Sequence, residues 1–358
     1  MDTIILTKDD IAEIVNRVGL HQLMDDIIDE LRTTFRNFDD VLTQVRTRDG
    51  FSYVTPYPGV LEWMPVMQVD DFAVIKVVSY NPGNPFLYQV PTIISTLSLY
   101  NIRTGHLMAL TDGTFTTALR TGAASAIASE ILANPASEVI GLVGCGAQAV
   151  TQLHALSRLF DIKRVLAYDI DSKVLASFPE RCRFLNLNIQ IVPREKLEEE
   201  SDIICTATSV GLDAGPVIDD TRLKSWVHIN AVGSDLPKKI ELPLSLLKES
   251  LVCPDYRAQA VVEGECQQLT PEAIGPELID LVKHAPEYRS YQMSKTVFDS
   301  TGFALEDKAA MQVLLALAKE VGVGQTLPIE SIEIDPMDPY SFVRAYVTEE
   351  AAKTAGAV

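Results

Sequence analysis

The chain has 358 residues, of which 47% are hydrophobic and 22% charged, and its formal net charge is −19. This length exceeds one typical domain, so two domains are expected. The negative charge excludes nucleic acid, whose phosphates require a basic surface, and it opposes docking on anionic lipid.

The N-terminal third is predicted to begin with a strand, two helices and a turn. Ile4 to Leu6 form a short strand, and Thr7 caps a helix with apolar residues at helical spacing up to Val18. A second helix is predicted over residues 20–38, and Arg48 to Phe51 have the composition of a turn.

Two charged residues interrupt the apolar strands that follow. Strands are predicted over residues 60–66 and 72–78, and each holds one charge, Glu62 and Lys76. Such a charge either points outward from an antiparallel sheet or is held for a ligand, and the pattern does not choose between these. Further strands over residues 92–99 and 106–110 form a hairpin around the turn at Arg103 to Gly105.

A helix rich in alanine, serine and glycine is predicted over residues 116–133. Its small side chains permit close approach of another backbone or of a ligand. Arg120 is its only basic residue, and spacing alone favours a solvated side chain there over a ligand-facing one.

The central motif is a strand followed by a glycine-rich turn and a helix. After the strand Val139 to Val143, the turn has the form G-x-G-x-x-A, beginning at Gly144 and Gly146. Such a turn aims backbone N–H groups and a helix N-terminus at a pyrophosphate. Asp169 ends the next strand, 23 residues after Gly146, where a carboxylate binds ribose hydroxyls and repels the 2′-phosphate of NADP. The alternative is an ordinary strand-turn-helix with a surface aspartate.

From residue 138 onward strands and helices alternate, which predicts a parallel sheet covered by helices. Ligands bind at the carboxyl ends of such strands, so the loops at 206–209 and 232–235 are expected to face a cofactor cleft. A last strand near Val297 leads into a helix that continues to Val321, and the final 30 residues form a tail suited to covering a neighbouring surface. The strands of the parallel sheet are predicted at 139–143, 164–168, 189–191, 202–206, 227–231 and 251–253.

The five cysteines form no C-x-x-C pair and have no histidine at metal-ligand spacing, so no metal site is predicted. The N-terminus lacks the pattern of a signal peptide, and no apolar stretch reaches the length of a membrane span. We therefore expect a reduced, soluble, cytoplasmic protein with no membrane partner.

Four blocks, in order along nearly the whole chain, resemble the ornithine cyclodeaminase/mu-crystallin family. They are residues 118–125, 144–148, 228–235 and 297–307. The resemblance implies an α/β fold in which a Rossmann dinucleotide-binding domain, residues 130–304, is inserted into an α+β substrate and dimerisation domain, residues 1–129 and 305–358. It also implies a homodimer and a small amino-acid substrate.

Three features are similar to the cyclodeaminase branch of this family. Glu62 lies in Leu-Glu-Trp-Met-Pro, Asp235 follows Asn-Ala-Val-Gly-Ser, and residues 262–269 resemble the cyclodeaminase version of that segment. By resemblance, Asp235 is the general base and acid at the side-chain amine, and Glu62 shuttles or orients protons.

The other site residues are carried over by position. Lys76 and Arg120 would hold the substrate carboxylate with help from an arginine before the first sheet, for which Arg48 is favoured over Arg46. Thr301 would line the substrate site. NAD, preferred over NADP, would be held by Thr92, Gly144, Gly146, Ala147, Gln148, Asp169, Thr208, Val232, Gly233, Ser234, Lys239 and Ser300.

The activity that this resemblance implies is ornithine cyclodeamination, which converts L-ornithine to L-proline and ammonia with NAD reduced and reoxidised in place. The alternatives are lysine cyclodeamination, an NAD-dependent amino-acid dehydrogenase or ketimine reductase, and a crystallin-like binding protein without catalysis. One methylene separates ornithine from lysine, and it discriminates by only about 1–3 kcal/mol.

Overall fold

The structure is a computed structural model that describes residues 1–54, 58–332 and 335–344. Two sheets and the helices around them make up the fold. The strands are β1 Thr3–Leu6, β2 Thr43–Val45, β3 Asp49–Tyr53, β4 Gly59–Gln68, β5 Phe72–Tyr80, β6 Ile93–Asn101, β7 Leu107–Asp112, β8 Val139–Val143, β9 Arg164–Tyr168, β10 Ile189–Ile191, β11 Ile203–Thr206, β12 His228–Ala231, β13 Leu251–Pro254, β14 Thr296–Asp299 and β15 Gln325–Leu327.

The helices lie between these strands and on both sides of the second sheet. They are α1 Lys8–Val18, α2 Leu20–Arg36, α3 Asn84–Leu87, α4 Thr114–Leu132, α5 Ala147–Leu159, α6 Ser172–Arg181, α7 Arg194–Glu200, α8 Leu244–Glu249, α9 Arg257–Ala260, α10 Leu278–Lys283, α11 Ala285–Tyr288 and α12 Ala304–Val321.

The first sheet is built from both ends of the chain. Its order is β15-β1-β7-β6-β5-β4-β2, and β3 also pairs with β4. β4, β5 and β6 are long antiparallel strands whose side chains alternate between two faces. Glu62 and Lys76 lie on the same face as the buried Met64, Val66, Val74 and Val78. The two charged side chains therefore point into the protein, which excludes the outward-facing alternative.

The second sheet is parallel, as predicted, with the order β10-β9-β8-β11-β12-β14-β13. Its strand order reverses beside β8, which is the point where dinucleotides bind in doubly wound sheets. All strands of this sheet come from the middle of the chain, between two segments that belong to the first sheet. The predicted fold class, a Rossmann domain inserted into an α+β domain, is confirmed, whereas the residue boundaries of the two domains stay a prediction.

Helix α4 joins the two halves and is buried over most of its length. Its small residues permit the close approach that the composition suggested. A side chain at Gly122 would lie 2.4 Å from the carbonyl oxygen of Thr151 on α5, so only glycine allows this spacing. The prediction of a solvated Arg120 is wrong, because only 3% of this residue is exposed.

Several short elements differ from the predictions. The turn predicted at Arg48 to Phe51 is largely strand β3, which escaped prediction because all five of its residues are exposed and because Asp49 and Gly50 are typical of turns. β2 and β15 have three residues each, too few for a period to emerge. The second helix ends at Arg36 rather than at residue 38. Most of the tail, at 333–334 and 345–358, lies outside the described residues. Within the described part of the chain, no helix combines the length and hydropathy needed to cross a bilayer.

Candidate active site

Four buried charges form a network between β5, α4 and the first turn of α12. Lys76 Nζ lies 2.7 Å from Asp307 Oδ2. Arg120 Nε lies 2.9 Å from Asp307 Oδ1, and its Nη1 lies 2.9 Å from Glu306 Oε2. All four side chains are at most 4% exposed. Two cations predicted to share a substrate carboxylate are thus held by two neighbouring acids that the motifs had not singled out.

Burial shifts the ionisation of this network. It lowers the pKa of Lys76 to about 8, with the nearby Arg120 acting in the same direction. It raises the pKa of Glu306 to about 8, and Glu306 Oε1 has no hydrogen-bond partner among the described residues. Burial also acts to raise the pKa of Asp307, but Arg120 and Lys76 hold it below its ordinary value. Asp307 is therefore the anion that compensates the two cations.

Arg48 lies beside this network, between two glutamates. Its Nη1 is 3.4 Å from Glu62 Oε2 and its Nε is 3.2 Å from Glu263 Oε1. Its Nη2 donates to the carbonyl oxygen of Thr301. Burial raises the pKa of Glu263 to about 7 against the opposing effect of Arg48, and it also raises that of Glu62. Arg46, the alternative to Arg48, instead lines a separate cavity.

The guanidinium groups of Arg48 and Arg120 meet at Gly302. A side chain at this glycine would lie 3.2 Å from Nη2 of each arginine. Gly302 has φ +98°, and its N–H donates to Asp255 Oδ2 at 2.6 Å. The structure records no acceptor for Nη2 of Arg120 among the described residues. This convergence of two guanidinium edges is suited to bidentate binding of a carboxylate.

Asp235 follows β12 and is 23% exposed, and its Oδ1 lies 2.7 Å from Nζ of Lys239. Lys239 was predicted with the cofactor residues, but its buried ammonium is held by Asp235 and by the hydroxyl of Tyr80 at 3.3 Å. Burial disfavours the charge of Lys239, but Asp235 and Tyr80 keep its pKa above the ordinary value. Lys239 therefore orients Asp235 in the structure.

The glycine-rich turn has the geometry that a pyrophosphate requires. Gly144 has φ +86°, and a side chain there would lie 2.6 Å from the carbonyl oxygen of Ala207. A side chain at Gly146 would instead enter open space in front of the first turn of α5. No side chain caps that helix, so the N–H groups near Ala147 and Gln148 are available to an anion. The turn therefore fits a dinucleotide.

Asp169 lies at the end of β9, next to this turn. Its Oδ2 accepts from the N–H of Cys145 at 2.7 Å, and its Oδ1 accepts from the N–H of Asp171 at 2.8 Å. The carboxylate is thus fixed beside the turn, where a ribose would be bound. Arg181 at the end of α6 donates to the carbonyl oxygens of Cys145 at 2.6 Å and Gly146 at 3.3 Å. The motifs gave no signal for this residue.

Replacing Arg181 by methionine is expected to weaken dinucleotide binding by about tenfold, because hydrogen bonds from a charged donor contribute about 1.5–3 kcal/mol. The variant removes the contacts that hold the turn and leaves Asp169 in place. Titration of NAD followed by calorimetry measures the effect, and Arg183→Met, at an exposed arginine on the same segment, is the control. Equal affinities of the two variants would contradict the assignment.

A buried glutamate joins the loops after β11 and β12. Glu241 Oε1 accepts from the N–H and the hydroxyl of Thr208, at 2.7 and 2.6 Å, and its Oε2 accepts from the N–H of Gly233 at 2.8 Å. Val232 is buried, and the hydroxyl of Ser234 donates to the carbonyl oxygen of Lys239. These predicted cofactor residues are brought together, but the side chains of Thr208 and Ser234 make internal contacts.

The remaining two predicted cofactor residues lie on different sheets. Ser300 directly follows β14, is 3% exposed, and its hydroxyl has no partner among the described residues. Such an orphaned buried hydroxyl at the carboxyl end of a parallel strand is free to bind a ligand. Thr92 precedes β6 in the first sheet, and its carbonyl oxygen accepts from the N–H of Asn81.

Several residues that complete this site have only weak signals in the sequence. Glu306 and Asp307 were inside a family block, but two acids in the first turn of a helix are also common for helix-dipole reasons. Glu263 was inside the segment 262–269, but that segment contains other polar residues. Their roles depend on burial beside Arg48 and Arg120, which no local pattern reveals. The structure adds Asp255, Glu241, Glu263, Glu306, Asp307 and Arg181 to the predicted set.

The sequence profile of the ornithine cyclodeaminase/mu-crystallin family matches residues 8–320. The chain therefore belongs to this family. It is 39% identical over 343 residues to L-lysine cyclodeaminase of Streptomyces rapamycinicus, covering 95% of this chain and 100% of the relative.

Two solved structures show the same relationship. A lysine cyclodeaminase, described for its recognition of L-lysine, L-ornithine and L-2,4-diaminobutyric acid, has a TM-score of 0.92 at 43% identity, covering 96% of this chain and all of that one. An archaeal alanine dehydrogenase dimer with bound NAD has a TM-score of 0.82 at 31% identity, covering 92% of this chain and all of that one.

Proposed function

We propose that this enzyme is a cyclodeaminase that converts a linear diamino acid, L-lysine or L-ornithine, to a saturated cyclic amino acid and ammonia. The observation that carries this proposal is the group of acids beside the carboxylate-binding arginines. Glu62 and Glu263 flank Arg48, and both are coupled electrostatically to Asp235. A substrate with a second amine needs such additional acidic groups, whereas a monoamino acid such as alanine does not.

The cofactor is NAD. When bound, NAD would supply the acceptor for a hydride from the substrate Cα, and the same hydride would return to that carbon after ring closure. Asp169 disfavours a 2′-phosphate by charge repulsion, which selects NAD over NADP. The open space at Gly146, the uncapped start of α5 and the orphaned hydroxyl of Ser300 are the features that fit this group.

The substrate carboxylate is bound where Arg48 and Arg120 converge at Gly302, with Lys76 supplying a third cation. The acids behind these cations fix their positions, so the carboxylate and therefore Cα are held in one orientation. Alignment of this kind contributes on the order of 7 kcal/mol to lowering a barrier. Thr301, whose hydroxyl donates to Asp255 at 3.0 Å, lines the same edge.

We infer that Asp235 removes a proton from the side-chain amine, and this is supported by its partly exposed carboxylate and by its ion pair with Lys239. The neutral amine would then add to Cα at the imine stage, and the α-nitrogen would leave as ammonia after accepting a proton, which gives a cyclic imine. Glu62 and Glu263, with raised pKa values caused first by burial, are suited to exchanging protons with these amines. Positioned groups of this kind accelerate reactions by about 100- to 10,000-fold.

The motifs favoured ornithine and kept lysine as an alternative. We now place lysine first, because the 39% identity with L-lysine cyclodeaminase covers 95% of this chain. L-ornithine is expected as a second substrate, since a missing methylene costs only about 1–3 kcal/mol.

The test is a panel of L-lysine, L-ornithine, L-2,4-diaminobutyrate and L-alanine with NAD⁺ as the added cofactor. We expect pipecolate from lysine and proline from ornithine, with ammonia and without net NADH. Substrate deuterated at Cα should give a product that retains the deuterium, because the same hydride returns to the same carbon. Label at the α-nitrogen should appear in the released ammonia.

Formation of one NADH for each oxo acid produced would contradict this proposal and would show that the protein is an amino-acid dehydrogenase. NAD binding without turnover of any diamino acid would favour a binding protein. Product from lysine alone, with ornithine inert, would confirm cyclodeamination and restrict its substrate.

The affinity for substrate is expected to fall as pH rises through about 8. Below this pH the buried Lys76 is charged and binds the carboxylate, whereas above it the amine is neutral, because burial and Arg120 lower its pKa to about 8. KM measured from pH 6 to 10 should therefore rise on the alkaline side. Lys76→Arg, which stays charged, should lose this rise, and an identical alkaline rise in both proteins would exclude Lys76 as its cause.

We also propose a homodimer formed through the outer face of the first sheet. Leu61, Val77 and Ile94 lie on this face and are 41%, 39% and 43% exposed. Exposed apolar side chains on three adjacent strands are typical of a protein interface. The archaeal alanine dehydrogenase whose structure contains bound NAD is a dimer.

Val77→Glu is expected to convert the protein to a monomer, because it places a charge in the centre of this apolar face. Light scattering coupled to size-exclusion chromatography measures the mass. Val41→Glu, at a valine 73% exposed outside the sheet, is the control and should leave the dimer intact. A dimer that survives Val77→Glu would refute this interface.

A further inference from the structure

The cavity that Arg46 lines lies next to the substrate site and has both charged and apolar walls. Its volume is about 450 Å³, within the usual range for small-molecule sites. Asp40, Arg46 and Glu277 supply the charges, and Ile279 and Phe303 are among the apolar residues of the wall. None of the residues that bind NAD or substrate in the proposed function lines this cavity.

The connection between β2 and β3 separates this cavity from the substrate site. Arg46 lines the cavity, whereas Arg48, two residues later, contacts Glu62 and Glu263 in the substrate site. The N–H of Arg48 donates to Gln259 Oε1 at 3.1 Å, which fixes this segment against α9. A ligand on Arg46 would therefore act on the backbone that carries Arg48.

Two further chain segments each have one residue at the substrate site and the next residue in the cavity wall. Asp255 accepts hydrogen bonds from Thr301 and Gly302 at the substrate site, and its neighbour Tyr256 lines the cavity. Phe303 follows Gly302 and also lines the cavity. The rings of Tyr256 and Phe303 stack at 4.8 Å with an angle of 15°. One stacked pair thus forms the cavity wall directly behind the loop where the two arginines converge.

The charges of the cavity define the chemistry of a ligand. Among the described residues, no carboxylate forms an ion pair with Arg46, so its guanidinium is available to an anion. Asp40 and Glu277 provide two acids against this one base, and Glu277 Oε1 accepts from the N–H of Arg257 at 2.6 Å. A ligand with one carboxylate and more than one cationic group complements this set. Tyr256, the more exposed ring of the stacked pair, suits a hydrocarbon stem and a cationic head.

We propose that this cavity is an effector site for a basic α-amino acid, which binds its carboxylate to Arg46 and its cationic groups near Asp40 and Glu277. Occupancy changes the affinity of the substrate site, because both sites share the segments at 46–48, 255–256 and 301–303. Coupling of this kind between adjacent sites changes affinity by about five- to 150-fold. The proposal concerns a site separate from the reaction, so it does not depend on which diamino acid is converted.

The test uses Nε-trimethyl-L-lysine as the probe, because its quaternary nitrogen has no lone pair and cannot close a ring. Calorimetric titration of the full-length protein with NAD present should detect binding. Arg46→Met should weaken it by about tenfold or more, since the charge-assisted hydrogen bonds to the carboxylate are lost. Arg103→Met, at an exposed arginine in the β6–β7 hairpin that does not line the cavity, is the matched control and should bind as the wild type does. Nε-acetyl-L-lysine and cadaverine, which lack the side-chain cation and the carboxylate respectively, should both bind more weakly.

A kinetic measurement separates this site from the substrate site. With whichever substrate the enzyme converts, saturating probe should change KM to a new limiting value, and Arg46→Met should abolish the change. Purely competitive inhibition that is unaffected by Arg46→Met would place the probe in the substrate site and overturn the proposal. Absence of binding, or equal binding by the wild type and Arg46→Met, would overturn it as well. The binding measurement requires no turnover, so its outcome is distinguishable from failure of the proposed reaction.

Discussion

Asp235→Asn is expected to lower turnover by about 100- to 10,000-fold while the affinity for NAD changes little. Asparagine has the shape of aspartate and can still accept a hydrogen bond from Lys239, so the loop after β12 is preserved. It cannot take a proton from the substrate amine at neutral pH. Steady-state formation of the cyclic product and calorimetric titration of NAD together measure the two quantities.

The neighbouring ion pair requires a control for Asp235→Asn. Because Lys239 is buried and paired with Asp235, loss of the carboxylate also removes its counter-charge. Lys239→Met should therefore reduce turnover by altering the orientation of Asp235, while the carboxylate itself remains. Near-normal product formation by Asp235→Asn would exclude Asp235 as the base. Glu62 and Glu263 would then be the next residues to substitute in the search for the base.

Asp307→Asn is expected to lower the free energy of unfolding by about 3–5 kcal/mol, the usual cost of removing one partner of a buried ion pair. Asp307 compensates both Lys76 and Arg120, which are at most 4% exposed. Its loss leaves Glu306 as the remaining acid of the network, and Glu306 contacts Arg120 but makes no ion pair with Lys76. Urea unfolding at pH 7, compared with the wild type, measures the change.

Glu320→Ala, at an exposed acid near the end of the same helix, should leave the unfolding midpoint close to that of the wild type. If Asp307→Asn folds, its affinity for substrate should also fall, because Lys76 and Arg120 lose the group that positions them. Unchanged stability together with unchanged KM would mean that the four-charge network does not contribute as described. Unchanged stability with a raised KM would limit Asp307 to positioning the two cations.

Apolar runs and helical spacing predicted the buried elements well. The parallel strands from β8 onward and helix α12 agree with the apolar runs and helical spacing of the sequence, because their burial imposes a clear pattern. β3 was missed for the opposite reason, since all five of its residues are exposed. Its hydrogen bonds to β4 form only because another strand lies alongside, and a partner distant in the chain leaves no local signal.

The site shows the same division between local and tertiary information. The glycine-rich turn and Asp169 could be identified from spacing, because their contacts lie within one strand-helix-strand unit. Arg120 could not, since a single arginine in a helix of small residues is usually solvated. Its burial results from the packing of α4 against α12, which places Glu306 and Asp307 beside it from 186 and 187 residues away.

The sequence by itself determined the Rossmann unit and the family, because these depend on local order and on motifs that are contiguous in the chain. Only the tertiary structure decided that Lys76 and Glu62 point inward, that Arg48 rather than Arg46 joins the site, and that Lys239 is held by Asp235. Each of these depends on which side chain faces which neighbour across separate elements. That is a matter of packing and burial, and the free energy of burying a charge is set by all the elements that surround it.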